Sequence, residues 1–102
     1  MGGGVVIELV SLKLKAGVEE SDFLRAAEDV TVFLSQCAGF IRRRLAKSDG
    51  EDWIDYVEWR TLPDALSAAK RFNQVPDTQQ FNAAIEPGSV VMRHLTVHSA
   101  VN

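Results

Sequence analysis

Three side chains of this sequence pair proton chemistry with apolar neighbours: Glu8 in VVIELVSL, Asp55 in WIDYVEW and His94 in VVMRHLTV. Asp55, a carboxylate beside aromatic rings, either finds a partner or has its pKa raised until it can serve as a base; Glu8, which interrupts an apolar strand face, is either paired or a ligand-binding residue. A neutral imidazole accepts a phenolic proton near neutral pH. Glu8 with His94 would make an acid–base pair, and Arg93 is the other candidate partner for Glu8. Asp55 lies between Trp53 and Trp59, and strand alternation puts all three on one face. Counting back across Asp49-Gly50 places Arg44 opposite Asp55 to within one residue of register, where an Arg–Asp cross-strand pair is the structural alternative to a free base. Trp59 and Tyr56 could shape a ligand pocket, with Met92 beside His94; equally, both tryptophans could be packing residues. His94 likewise reads either as a base or as a hydrogen-bonded structural residue.

Other chemistries find little support. His94 and His98 share a strand face but stand roughly 13 Å apart at ~3.3 Å per residue, too far to chelate one ion, and no Cys or carboxylate cluster completes a metal site. Gly2-Gly3-Gly4 does not lead from a strand into a helix, so it is no dinucleotide fingerprint. No Ser-His-Asp context is recognisable. The expectation is no metal and no cofactor.

The elements that must position these residues follow from periodicity. Residues 5–15 read as a first strand. A helix over 19–37 carries Phe23, Ala26, Ala27, Val30, Phe33, Leu34 and Cys37 on one stripe. Gly39 follows its end. Strands over 40–47 and 53–60 flank a turn at 48–51 and form a hairpin. Thr61 caps a second helix over 62–75, with Asp64 at the capping-box position, and Pro76 ends it. A short helix over 77–85 and a last strand over 90–101 complete the chain. The order β-α-β-β-α-(α)-β is the split βαβ pattern. It implies an α+β, ferredoxin-like fold, with a four-stranded antiparallel sheet in the order 4-1-3-2 and helices on one face.

Strand 1 is apolar on both faces, which conflicts with a sheet covered on one side only. The simplest resolution is a second copy packed face to face, so the expected partner is the same chain in a closed homodimer. The 102 residues suit one domain over 5–102, with 1–4 as a flexible leader. A formal charge of −3 gives no footprint for nucleic acid, and acidic residues closely follow the short run Arg42-Arg43-Arg44. These arginines alternate faces, so at least one is expected to point inward at an acid or an anionic ligand. No apolar stretch approaches the ~20 residues of a membrane span, and the N-terminus has no signal-peptide pattern. Cys37, the sole cysteine, reads as a small core residue, and the cytoplasm is the expected compartment.

Ala38-Gly39-Phe40, Trp59-Arg60-Thr61, Asp64-Ala65 and the ending Ser89-Val90-Val91-Met92-Arg93-His94 carry a family likeness. Through them the chain resembles the antibiotic-biosynthesis-monooxygenase-like (ABM) domains of the dimeric α+β barrel superfamily, over about residues 5–97. The resemblance implies a dimeric barrel and a small organic ligand, aromatic or polycyclic, held between sheet and helices. It also implies a cofactor-independent monooxygenase, in which Trp, Tyr, Asn and Arg side chains surround the ligand. Trp59, Tyr56, Arg60, Asn73 and Asn82 are available for that. The alternative is a non-catalytic binding or sensing dimer with the same pocket. Haem-degrading relatives use an Asn on strand 1, a Trp in the helix after strand 3 and a His further on. This chain lacks all three, with Ser67-Ala68-Ala69 and Asn82-Ala83-Ala84-Ile85 at the corresponding stretches.

Overall fold

The computed structural model describes residues 4–102. Its elements are β1 (Val6–Leu12), α1 (Glu20–Ser35), β2 (Phe40–Lys47), β3 (Trp53–Trp59), α2 (Leu62–Phe72), a 3-10 turn (Pro76–Thr78), α3 (Gln79–Ala83) and β4 (Val91–Thr96). The strands form one antiparallel sheet in the order β2-β3-β1-β4. This is the ferredoxin-like α+β fold. Apart from Gly4, the expected leader lies outside the described residues.

Element ends differ from the periodicity reading for local reasons. Beyond Leu12 the first strand leaves the sheet; Leu14 bridges Ile85 and Lys15 donates to the Ala84 carbonyl at 2.9 Å. The second helix stops at Phe72 because the buried Thr78 hydroxyl donates to the Phe72 carbonyl and caps that end. At its start, Thr61 Oγ1 accepts from the Asp64 backbone N–H at 3.1 Å, as expected of an N-cap. The short helix divides into the 3-10 turn and α3, and β4 ends at Thr96.

Register assigns the faces. Val6, Glu8, Val10 and Leu12 lie opposite Trp59, Val57, Asp55 and Trp53 of β3, and Val6, Glu8 and Val10 also lie opposite Thr96, His94 and Met92 of β4. Directly opposed residues share a face, so all of these point the same way. The helices cover that face: α1 buries Phe23, Ala26, Ala27, Val30, Phe33 and Leu34, α2 buries Ala65 and Ala68, and α3 buries Phe81. Phe23 meets Trp53 edge-on at 5.0 Å and stacks on Phe81 at 4.8 Å, geometries favoured by ring quadrupoles. Both tryptophans are therefore buried under helices. The opposite face carries Ile7, Leu9, Ile54, Tyr56 and Leu95 with Arg42, Arg44, Arg93 and Glu58. It is only half-buried to exposed.

The hairpin register corrects one expectation. Lys47 pairs with Trp53, so the connection spans residues 48–52 and centres on Gly50, closed by Ser48 N–H to the Asp52 carbonyl at 2.9 Å. Relative to a turn centred on Asp49-Gly50 this shifts pairing by one residue, and a one-residue slip turns every side chain over. Arg44 thus lies opposite Tyr56 on the open face, while Arg43 points under the helices. A bulge between Phe40 and Arg42 then restores Phe40 to a position opposite Trp59.

Candidate functional site

Glu8 sits mid-strand on the central β1, 7% exposed. Its oxygens are held from both neighbouring strands. Trp59 Nε1 donates to Oε1 at 3.1 Å, and His94 Nε2 lies 3.3 Å from Oε2. The pleat explains both contacts: His94 is directly opposite Glu8, and Trp59 is the diagonal neighbour beyond Val57.

Asp55, also 7% exposed, is held differently. Arg43 forms a two-pronged pair with it, Nε to Oδ1 at 2.8 Å and Nη2 to Oδ2 at 2.6 Å. The remaining Nη1 donates to the Ala27 carbonyl of α1 at 2.8 Å and to Thr31 Oγ1 at 3.0 Å. The guanidinium also lies 5.4 Å from the Phe81 ring centre. Asp55 is therefore a fixed, charge-compensated acceptor rather than a free base.

Both carboxylates face a cavity of about 440 Å³ between sheet and helices. Val10, Val57 and Trp59 complete its floor; Val30, Leu34, Ala68 and Phe81 close it from above. Its mouth carries the exposed Asn73, Asn82, Val90 and Met92. The space exists because α2 presents Ala68 and Ala69 where larger residues would fill it. Among the described residues no Lys, Arg or His lines it, and no buried side-chain nitrogen or oxygen lacks a partner.

Of the residues singled out in the sequence, Glu8, Asp55, Trp59 and Met92 are on the cavity wall. His94 stands behind Glu8 and reaches the cavity only through it. Tyr56 and Arg44 are not at the site, because strand alternation and the hairpin register put them on the open face. There Tyr56 donates to Glu58 Oε2 at 2.7 Å, a bond that raises its pKa above the usual phenol value. Arg43 and Thr31 were missed as individuals. Alternation in Arg42-Arg43-Arg44 signalled that one arginine points inward, but only the loop length selects which. Burial pushes the Cys37 thiol up, and the site does not involve it. His98 lies past β4 and is exposed. Among the described residues no cluster of three or more His, Cys, Asp or Glu could hold a metal ion.

No family model matches the chain, and no curated protein does. Solved structures do. The cofactor-independent oxygenase SnoaB from Streptomyces nogalater superposes with a TM-score of 0.71 at 12% identity, covering 98% of this chain and 97% of that one. An antibiotic-biosynthesis-monooxygenase candidate from Bordetella bronchiseptica gives 0.72 at 17% identity, over 96% and 99%. The chain has the ABM-like fold. A dimeric ferredoxin-like protein of unknown function from Jannaschia sp. CCS1 superposes with a TM-score of 0.68 at 13% identity, over 92% of this chain and 100% of that one. At such identities the likeness carries architecture, and activity must be argued from the site.

Proposed function

We propose that this ABM-like protein is a homodimer that holds a small aromatic or polycyclic compound in the cavity and oxygenates it without a cofactor. The observation that carries the reading is the Glu8 carboxylate, buried on the wall of an apolar cavity and backed by His94. Glu8 takes a proton from an acidic C–H or O–H of the ligand, and His94 stabilises the protonated pair by sharing the hydrogen bond. Asp55, held by Arg43, accepts from a ligand hydroxyl and orients the ring. The ligand anion then gives electrons to dioxygen: a ring CH₂ and O₂ become C=O and water. Apolar walls keep bulk water from the anion. SnoaB's description as a cofactor-independent oxygenase supports this chemistry on this fold. Among the described residues no helix is long and apolar enough to cross a membrane; from the free, buried thiol of Cys37 we place the protein in the reducing cytoplasm.

The test is oxygen uptake with 1,8-dihydroxyanthrone as probe. Expected is one O₂ consumed per quinone formed, with one labelled atom in the product from ¹⁸O₂, and loss of most of the rate in Glu8→Gln. Uptake no faster than in buffer would overturn the oxygenase reading. A binding-only protein would then be favoured, and one observation already points that way: every buried polar side-chain atom described is satisfied within the protein.

A further inference from the structure

We infer that the cavity selects a neutral aromatic ligand carrying at least two hydrogen-bond donors, and excludes carboxylates. The inference rests on the small-molecule reading above and names its substrate class. It follows from an imbalance of polar groups. The buried ligand-facing polar residues are Glu8 and Asp55, both acceptors. The donors nearby are already committed to the protein. Trp59 Nε1 and His94 Nε2 are engaged with Glu8, and Arg43 spends Nε and Nη2 on Asp55 and Nη1 on Ala27 and Thr31. Each ionised carboxylate offers about four lone-pair sites, and the protein donors above use one on each oxygen. Acceptor capacity is left over, and donor capacity remains only in the exposed Asn73 and Asn82 at the mouth.

A ligand carboxylate entering this space would lose its water, meet two like charges and find no buried donor. An ammonium would give up its full hydration shell and gain a counter-charge only from Glu8, because Arg43 already compensates the charge of Asp55. A hydroxyl gives each carboxylate a donor with no net charge to desolvate. The number of donors follows from the register. Val10 is opposite Asp55 and Val57 opposite Glu8, so the two carboxylates are diagonal neighbours on one face. Diagonal neighbours of this kind stand about 7–8 Å apart, their Cβ atoms somewhat less. One hydroxyl does not serve both; two, on a fused-ring skeleton, do.

The experiment is anaerobic calorimetric titration of the full chain at neutral pH with 2,6-dihydroxynaphthalene, 2,6-dimethoxynaphthalene, 2-naphthoate and 2-naphthylmethylammonium. Expected is binding of the diol about tenfold or more tighter than that of each of the others, the discrimination that one unmet buried polar interaction provides. Asp55→Asn leaves the Arg43 guanidinium unopposed and should invert the order, with 2-naphthoate gaining most. Because that variant strains the fold, Glu8→Gln serves as the near-isosteric second variant and should weaken the exclusion of 2-naphthoate. Naphthoate equal to or tighter than the diol in the parent protein overturns the charge selection while leaving the pocket standing. The dimethoxy probe matching the diol overturns the donor requirement, and the ammonium binding tightest overturns neutrality. Failure of every probe to bind overturns this inference and the small-molecule reading together. Diol binding in the expected order, with no oxygen uptake in the anthrone assay, sinks only the oxygenase reading.

Discussion

At the scale of single residues, two buried carboxylates on one sheet face have been given different work by their partners. Asp55 has a two-pronged arginine, and side-chain exposures of 5% for Arg43 and 11% for Asp55 leave the pair little solvent screening. Removing one partner should therefore cost far more than removing both. Arg43→Met alone is expected to destabilise by about 3–5 kcal/mol, whereas Arg43→Met with Asp55→Leu should recover most of that loss. Urea unfolding of both variants measures it, and equal destabilisation would show that the pair is not the operative unit. Cys37 supplies a pH test. Burial raises its pKa in the folded chain, so the native state holds the thiol proton more tightly than the unfolded state does. That contribution is complete below the unfolded thiol's pKa and is lost as pH rises through the folded value. Cys37→Ala should consequently flatten the alkaline fall in stability, and the native thiol should resist iodoacetamide at neutral pH until the protein unfolds. Fast alkylation of the folded protein would contradict the burial.

At the scale of elements, the connection from α1 to β2 depends on one glycine. Gly39 adopts φ +82°, and a Cβ there would run into the Asp64 carboxylate at the start of α2. Its carbonyl also accepts from Arg60 N–H at 2.8 Å, which ties the end of β3 to the same corner. Gly39→Ala should lower stability by more than ~1 kcal/mol, because both the backbone and the neighbour object. Gly39→Ala with Asp64→Ala should regain only part of the steric cost, because the Cβ of residue 64 would still stand 2.7 Å from the new one; thermal denaturation compares the two variants. If the single variant is neutral, the corner is less constrained than its geometry says. This is also the scale at which sequence reading succeeded and failed. Strand and helix order, the Thr61 cap and the shared face of Trp53, Asp55 and Trp59 were legible because each rests on local periodicity or a fixed spacing. The Arg43–Asp55 pair was not, since it depends on whether residues 48–52 or a tighter turn close the hairpin, and the composition of Ser48-Asp49-Gly50-Glu51 suits both. Nor could alternation say which face of β3 would be covered. That required the helices to be packed, and packing removed Tyr56 from the site and placed Trp59 in it.

At the scale of the whole molecule, the same register that buries Trp53 and Trp59 under helices leaves the second face of the sheet to be covered by something else. Its centre is Ile7, Leu9, Ile54 and Tyr56, and Leu95 at 38% exposure extends it on β4. Arginines 42, 44 and 93 and Glu58 share that face, and Arg42 already lies 3.7 Å from Glu58. A patch with an apolar centre and charges of both signs around it suits a two-fold self-association, in which the same surface meets itself. On the proposed homodimer, Leu9→Arg would place two like charges near the symmetry axis without water. Dissociation should become easier by about a hundredfold or more, ~2.7 kcal/mol. Sedimentation equilibrium at micromolar concentration is the measurement, with Leu66→Arg, at an exposed position on α2, as a control that should leave the mass unchanged. A monomeric parent protein would remove the dimer, and an unchanged mass in Leu9→Arg would move the interface elsewhere. Because the cavity opens on the opposite side of the sheet from Leu9, the monomerised variant also separates two dependencies. Probe binding retained at the parent affinity would show that one protomer's sheet and helices suffice to form the site. Loss of binding with intact secondary structure would show that β1 needs the second sheet behind it to hold Glu8 in place.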